Sequence, residues 1–299
     1  LIFKMLNKIV LFTSVDGYIG SNIYKRFNKN KNYFFLTDKI NRVSLRNRIY
    51  HYNDLDDLLD QKKIDIVFNN RGVIVGDSNI IKRINYLDSK NLFNKIKKKN
   101  IKLFINLDTN KVFSLNTVPK SIISKGKGET YYDSKAKFRN FLKKTKSDIG
   151  IVSIHCDIVY GPRDKLHKFV NKIVSKMIGK KESLILYNSQ LIRNFIYIND
   201  FISFIEHLLN SSNKIKKNYL ECFVASKRFF TLLELTKKIK KLTNSKCKIV
   251  SLGTDYSDIN LLLIEEFDLN KNPSWLNWEP KVSLDKGLKR VVDLSENGL

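Results

Sequence analysis

Tyr131 and Lys135 stand four residues apart in the stretch Tyr131–Lys143, whose pattern predicts a helix. That spacing places a phenol and an ammonium side by side on one helix face. A cation beside a phenol favours the phenolate, so the pair suits general acid–base work, with Tyr131 exchanging a proton with a substrate hydroxyl. Tyrosine and lysine are frequent in this chain, so the pair takes its meaning from its surroundings. Thr109 follows the apolar run Leu103–Leu107, which reads as a strand. A hydroxyl there lies at the C-terminal edge of a parallel sheet, where ligands bind. It serves equally as a turn former or as a second partner for the oxygen that Tyr131 serves.

A phosphate-binding feature lies at the other end of the chain. Thr13-Ser14-Val15-Asp16-Gly17-Tyr18-Ile19-Gly20 directly follows the first apolar run, Lys8–Thr13. Gly17 lets a backbone approach a pyrophosphate, Gly20 lets a helix pack closely on a strand, and the free amides of the helix start bind anions. Ser14 stands where the full pattern has glycine, and such a turn also serves as a plain join between strand and helix. Asp38 ends the second apolar run, 18 residues after Gly20. A carboxylate there accepts from the hydroxyls of an adenosine ribose and repels a 2'-phosphate, favouring NAD over NADP, although the neighbouring Lys39 weakens that preference.

The elements that must position these groups alternate. Lys8–Thr13, Tyr33–Thr37, Ile64–Phe68, Leu103–Leu107 and Ile149–Ile154 read as buried strands. Asn22–Asn28, Leu55–Gln61 (capped by Asn53 and Asp54), Ile80–Lys99 and Tyr131–Lys143 read as the helices between them. Short apolar strands alternating with helices predict an α/β fold, a Rossmann-type doubly wound parallel sheet. A dinucleotide-binding domain is expected over residues 1–160. Residues 161–299 are expected to form mainly a smaller substrate-binding lobe, with segments near 193–210 and 219–225 returning to the sheet.

Composition narrows the classes. The chain has 299 residues and is 42% hydrophobic, enough for a large buried core. Its net charge of +26 raises nucleic acid as a partner. Yet alanine occurs only at Ala136 and Ala225 while Lys, Asn and Ile abound, the mark of an AT-rich coding sequence, and the basic runs sit on solvated helix faces. No nucleic-acid partner is therefore expected. Cys156, Cys222 and Cys247 have no ligand spacing with one another or with histidines, so neither a metal site nor a disulfide framework is expected. No apolar run reaches membrane-spanning length and no signal peptide is read, which gives the expectation of a cytoplasmic protein without membrane contact.

The order of Gly-rich turn, Asp38, Thr109 and Tyr131/Lys135 resembles the extended short-chain dehydrogenase/reductase superfamily, its NAD-dependent epimerase/dehydratase family. Three later stretches carry the resemblance further. Val159-Tyr160-Gly161-Pro162-Arg163 is similar to that family's Asn-Val-Tyr-Gly-Pro loop. Arg193-Asn194-Phe195-Ile196-Tyr197-Ile198-Asn199-Asp200 is similar to Arg-Asp-Phe-Ile-Tyr-Val-Asp-Asp. The run from Leu276 through Trp278, Pro280, Ser283 and Gly287 to Leu288 is similar to the C-terminal Leu-Gly-Trp-x-Pro-x-x-Ser-Leu-x-x-Gly-Leu. The likeness spans about Lys8 to Val292. Phe104–Thr109, Tyr160–Asp164 and Lys168–Val170 also resemble the reductases that make CDP-linked 3,6-dideoxyhexoses such as abequose and paratose.

The resemblance implies a nucleotide-sugar substrate and NAD, with NADP as the variant. It implies Tyr131 as acid/base, Lys135 holding the cofactor ribose and tuning Tyr131, and Thr109 orienting the reacting sugar hydroxyl. Ser14, Gly17, Tyr18, Ile19 and Gly20 would line the pyrophosphate and Asp38 the ribose, with Asn69 and Arg71 in the stretch that passes under the cofactor. Asp157 and Arg193 would contact the substrate, Arg193 through its phosphates. Family members often pair as homodimers through helices such as Ile80–Lys99 and Tyr131–Lys143. The departures are Ser14, His51-Tyr52 in place of an Asp-hydrophobic pair, Asp157 in place of asparagine, and Asn69-Asn70-Arg71-Gly72 in place of His-x-Ala-Ala. Arg71 either clashes with the usual cofactor pose or makes a new phosphate contact. Thr109-Asn110-Lys111 lacks the two carboxylates that 4,6-dehydratases carry there. The expectation is thus an epimerase or 4-ketoreductase, with a 4,6-dehydratase or a non-catalytic nucleic-acid-binding relative as the alternatives.

Overall fold

The computed structural model describes residues 7–109, 127–179, 181–216, 218–252, 260, 264 and 269–297, with the side chains of 127–130 outside that description. In chain order the strands are β1 Val10–Phe12, β2 Tyr33–Thr37, β3 Ile49–His51, β4 Ile66–Asn69, β5 Leu103–Thr109, β6 Gly150–Cys156, β7 Ile158–Tyr160, β8 Ser183–Tyr187, β9 Ile192–Tyr197, β10 Tyr219–Val224, β11 Phe229–Thr231 and β12 Lys248–Leu252. The helices are α1 Tyr18–Phe27, α2 Leu55–Gln61, α3 Ser78–Lys82, α4 Ser89–Lys97, α5 Lys127–Lys144, α6 Phe169–Ile178, α7 Ile198–Asn210, α8 Leu232–Leu242 and α9 Leu284–Glu296.

A seven-stranded sheet runs in the order β10-β6-β5-β4-β1-β2-β3. The pairings of β1 with β2 and β4, of β2 with β3 and of β4 with β5 are all parallel. Alternate residues point to opposite faces, and both faces are covered. Leu11, Val67 and Phe104 point into a core shared with Leu58 of α2, Phe93 of α4 and Phe138 of α5. Phe12 points the other way and stacks on Phe27 of α1 and on Phe35. This is the Rossmann-type doubly wound sheet that the alternation predicts.

The chain divides into two compact units. The first takes the described residues of 1–155, 205–223 and 270–277; the second takes those of 156–204, 224–269 and 278–299. Strand β10 lies at the edge of the seven-stranded sheet. Of the segment expected to return near 193–210, residues 205–210 fall in the first unit, as do 219–223, whereas 193–204 fall in the second, where β9 pairs parallel with β7 and antiparallel with β11.

Two local expectations are corrected. The helix expected over Ile80–Lys99 is interrupted by a widened π-type turn, Arg83–Asp88, between α3 and α4. Ser89 Oγ donates to the Ile84 carbonyl at 3.2 Å, five residues back, which holds that turn. Asp54 precedes α2 but makes no side-chain cap bond. His51 Nδ1 instead accepts from the Asn53 amide at 3.2 Å and shapes the entry.

In the second unit α6, α8 and α9 pack together and α9 lies on β9. The three late motifs meet here as packing. Asp200 accepts from the Val282 amide at 2.8 Å, and Trp278 Nε1 donates to Ser203 Oγ at 3.0 Å. A Cβ on Gly287 would sit 2.1 Å from Tyr160 Oη and 3.0 Å from Tyr197 Cδ2. Gly287→Ala is therefore expected to lower stability by about 1–3 kcal/mol, the usual cost of overpacking, read as a fall in urea midpoint.

Candidate active site

The candidate site is built on the C-terminal edges of β1, β4 and β5, all in the first unit. A buried polar network sets those edges. Thr13 Oγ1 donates to Asn69 Oδ1 at 3.0 Å, and Asn69 Nδ2 reaches Asn106 Oδ1 at 3.0 Å and Ser89 Oγ at 3.3 Å. Asn69 is 2% exposed. Both ends of its amide are engaged by protein, so Asn69, expected in the stretch under the cofactor, ties strand ends together.

The Gly-rich turn is held from both sides. Asn70 clips Ser14, with Oδ1 accepting from its amide at 3.2 Å and Nδ2 donating to its carbonyl at 2.6 Å. Asp16 accepts from Thr37 Oγ1 at 2.7 Å and from the Asp38 amide at 2.8 Å, fastening the turn to the end of β2. Gly17 is the extended N-cap of α1 (φ −85°, ψ 174°), and Tyr18 and Ile19 open the helix with no acidic residue in the first turn. A Cβ on Gly20 would lie 2.3 Å from the Ser14 carbonyl oxygen, whereas one on Gly17 would meet no atom of the described residues within 4 Å. Gly20 is thus demanded by the fold. Gly17, whose backbone any residue can adopt, faces an open cradle at a helix N-terminus. That arrangement suits an anion such as a pyrophosphate.

At the ribose end, Arg71 engages Asp38 with both arms of a fork: Nε to Oδ2 at 3.1 Å and Nη2 to Oδ1 at 3.0 Å. Its Nη1 donates to Asp88 Oδ2 at 2.7 Å, and the guanidinium lies 4.4 Å over the Tyr52 ring. Burial pushes the Tyr52 phenol up to about 12, against the pull of Arg71. Arg71 therefore lies on Asp38, Asp88 and Tyr52, and not within 4 Å of the Cβ position of Gly17.

At the chemical end, Lys135 is buried and its Nζ donates to the Leu107 carbonyl near the end of β5 at 2.8 Å. The same ammonium lies 3.7 Å from where a Cβ on Gly72 would stand. Asn85, from the π-type turn, holds the next residue by accepting from the Val73 amide at 3.0 Å and donating to its carbonyl at 2.8 Å. Tyr131 is half-buried one turn before Lys135 on α5, and its carbonyl accepts from Ser134 Oγ at 2.8 Å. Thr109 ends β5 and is buried, with its amide donating to Asp108 Oδ1 at 2.8 Å. The structure thus joins the Lys135 end of α5 to the β5 end that carries Thr109, with the Gly72 stretch alongside. Asn110 and Lys111 lie outside the described residues.

Sequence reasoning missed a buried charged group behind Thr109. Burial pushes the Asp108 carboxyl up to about 6, against the attraction of Lys135 and the Thr109 amide. Burial, with Arg139 nearby, holds His155 down to about 3; its Nδ1 lies 3.5 Å from the Thr109 carbonyl. Below pH 6.5 the unfolded chain protonates His155 first, so acidification destabilises the fold. Between about pH 6 and 4 the folded chain protonates Asp108 first, so acidification stabilises it and the two offset. His155→Asn removes one side of that balance. It is expected to gain about 2 kcal/mol relative to wild type between pH 6 and 4.5, at about 1.4 kcal/mol per pH unit. Urea denaturation at the two pH values checks this; parallel pH dependence in the two proteins would contradict it.

Asp157 and Arg193 belong to the second unit. Asp157 Oδ2 accepts from the Asn194 amide at 3.0 Å, tying β7 to β9, and Arg193 Nη1 donates to the Ile192 carbonyl at 2.9 Å. Among the described residues no cluster of His, Cys, Asp and Glu gathers to hold a metal, and no helix is long and apolar enough to cross a membrane.

A doubly wound sheet with a Gly-rich turn after β1, an acidic residue after β2 and a Tyr/Lys helix behind β5 defines a dinucleotide-fold protein of the extended short-chain dehydrogenase/reductase type. The family profile described as "NAD dependent epimerase/dehydratase family" matches residues 10–220, and the chain belongs to that family. It is 26% identical to the CDP-abequose synthase of Salmonella muenchen over 57% of this chain, a match that takes in 60% of the Salmonella protein. It is 22% identical to the GDP-L-colitose synthase of Yersinia pseudotuberculosis over 94% of this chain and 96% of that protein. The UDP-glucose 4-epimerase structure from Thermotoga maritima, with UDP-glucose, shares the fold at a TM-score of 0.73 and 20% identity, covering 97% of this chain and 99% of that one.

Proposed function

We propose that this chain is an NAD(P)-dependent nucleotide-sugar epimerase or 4-ketoreductase with Tyr131 as its acid/base. The observation that carries the reading is the Lys135 ammonium, set one helical turn beyond Tyr131 and bonded to the Leu107 carbonyl two residues before Thr109. Similar proteins support the substrate class: their names speak of CDP-, GDP- and UDP-linked sugars, and a UDP-glucuronic acid 4-epimerase from Bacillus cereus is seen with UDP-glucuronic acid and NAD.

The residues present fit the dinucleotide at the pyrophosphate end, where the Gly17 cradle opens on the N-terminus of α1. Gly17, Tyr18, Ile19 and Gly20 would hold the pyrophosphate, with Ser14 shaping the turn, Asp38 the adenosine ribose and Lys135 the second ribose. When bound, the nicotinamide supplies or accepts the hydride at the sugar. Tyr131 Oη gives a proton to, or takes one from, the reacting sugar oxygen, which Thr109 Oγ1 orients. Lys135, one helical turn along α5, would tune the phenol for that transfer. Arg193 and Asp157 are the candidate substrate contacts. No carboxylate follows Thr109 in Asn110 or Lys111, which turns the reading away from dehydration.

A panel of CDP-, GDP- and UDP-sugars, in 4-keto and 4-hydroxy forms with NAD(H) and NADP(H), tests the reading. Net loss of reduced cofactor with a 4-keto sugar marks a reductase, and interconversion of C4 epimers without net loss marks an epimerase. Neither reaction with any member overturns the reading.

A further inference from the structure

Asp38 is the group assigned to the adenosine ribose, and Arg71 already occupies both of its carboxylate oxygens. A ribose diol is a pair of neutral donors that needs those same two oxygens. The guanidinium brings a full positive charge to that carboxylate and two parallel bonds in a fork of matching, fixed geometry, which the neutral diol lacks. The Arg71 side chain is 13% exposed and that of Asp38 47%, so what strengthens the pair is its bidentate geometry and the buried anchoring of the Arg71 end. Arg71 does not depend on Asp38 alone. Asp88 and the Tyr52 ring hold it from the other side, and Asp88 is placed there by the π-type turn.

Resting on the cofactor reading above, we propose that Arg71 is an internal competitor that takes the place of the adenosine ribose on Asp38. The chain consequently holds its dinucleotide weakly and exchangeably, as a co-substrate rather than a permanently retained group. Swinging Arg71 off Asp38 leaves its Asp88 and Tyr52 contacts available, so the competition is reversible. The same property favours the ketoreductase over the epimerase, because an epimerase must keep one dinucleotide through its whole cycle.

The test is the affinity for NADH and NADPH, read by fluorescence of the bound reduced nicotinamide. It uses the full chain as wild type, Arg71→Met, Asp38→Asn and the double variant, with melting temperatures as a folding control. Arg71→Met keeps an apolar stem on Tyr52 and frees Asp38, so NADH is expected to bind at least about tenfold more tightly. That gain is expected to vanish when Asp38→Asn is added, because the ribose then has no carboxylate to reach. Unchanged or weaker NADH binding by Arg71→Met overturns the proposal. So does a selective loss of NADPH binding, which would make Arg71 a 2'-phosphate receptor. If Arg71→Met fails to fold, Arg71→Lys keeps the charge and loses the fork, and its NADH affinity is expected to rise as well; no rise overturns the proposal. Failure of every folded form to bind either dinucleotide overturns the cofactor reading itself, an outcome distinct from normal binding that is insensitive to Arg71.

Discussion

Tyr131→Phe is expected to lower kcat on the nucleotide sugar by about 10³-fold, within the span typical of a lost general acid–base, while dinucleotide affinity stays within about twofold of wild type. The substitution removes one oxygen and leaves the ring, its contact with Tyr132 and the helix intact. Lys135→Met is the poorer probe. It also deletes the bond to the Leu107 carbonyl and leaves a buried acceptor behind, mixing a structural loss with a chemical one. Steady-state kinetics with the best sugar of the panel, alongside NADH binding, checks the expectation. A Tyr131→Phe protein with wild-type kcat removes Tyr131 from the chemistry.

The two glycines of the turn give the second large effect, and they part company. At Gly20 an added methyl would meet the Ser14 carbonyl oxygen at 2.3 Å and its carbon at 3.0 Å. That carbonyl is backbone and is also held by Asn70, so it has no easy retreat. Gly20→Ala is expected to destabilise by about 3 kcal/mol, the upper part of the overpacking range, and to weaken dinucleotide binding with it. Gly287 has a shorter contact, but to side-chain atoms of Tyr160 and Tyr197 and not to backbone, so its cost is expected within the range of about 1–3 kcal/mol given above. Gly17→Ala is expected to leave stability unchanged or raise it by up to about 1 kcal/mol, because the backbone is already in a region alanine adopts. Its methyl would enter the cradle, so dinucleotide affinity is expected to fall at least about tenfold. Unfolding curves and NADH titrations of the pair separate the two roles. Unaltered binding by Gly17→Ala would mean the pyrophosphate does not lie there.

What could be read in advance follows from the physics of each element. β1, β2, β4 and β5 are buried on both faces and show as continuous apolar runs, so the parallel sheet was legible. β8 was not: it alternates Leu184 and Leu186 inward with Ile185 and Tyr187 outward, and apolar residues on the solvent side hide the alternation. The motifs at Asp200, Trp278 and Gly287 were the most specific signals in the chain, because a packed joint of amide, indole and missing side chain tolerates few residue types. They pointed to the family while doing no chemistry themselves. The π-type turn escaped because its residues satisfy the helical pattern on either side. With it went Asp88, whose pairing with Arg71 across 17 residues needs the folded chain to be seen. The Lys135 partner is a backbone carbonyl, which has no signature of its own. The part Asn69 plays in joining three strand ends has no sequence signature, because its partners Thr13 and Asn106 are brought to it only by the sheet.

The central claim is a hydride exchange between a sugar carbon and a nicotinamide, with Tyr131 moving the proton. The most direct measurement follows the label under single-turnover conditions, using dinucleotide deuterated at nicotinamide C4 or nucleotide sugar deuterated at C4, quenched and read by mass spectrometry. In the wild-type protein deuterium is expected to pass from reduced nicotinamide to C4 of a 4-keto sugar if the chain is a reductase, or from sugar C4 onto the nicotinamide and back if it is an epimerase, and to stay in place in Tyr131→Phe. No label on the sugar after reduction of a 4-keto sugar, and none on the nicotinamide at any time during epimerisation, with any sugar of the panel, would contradict the account.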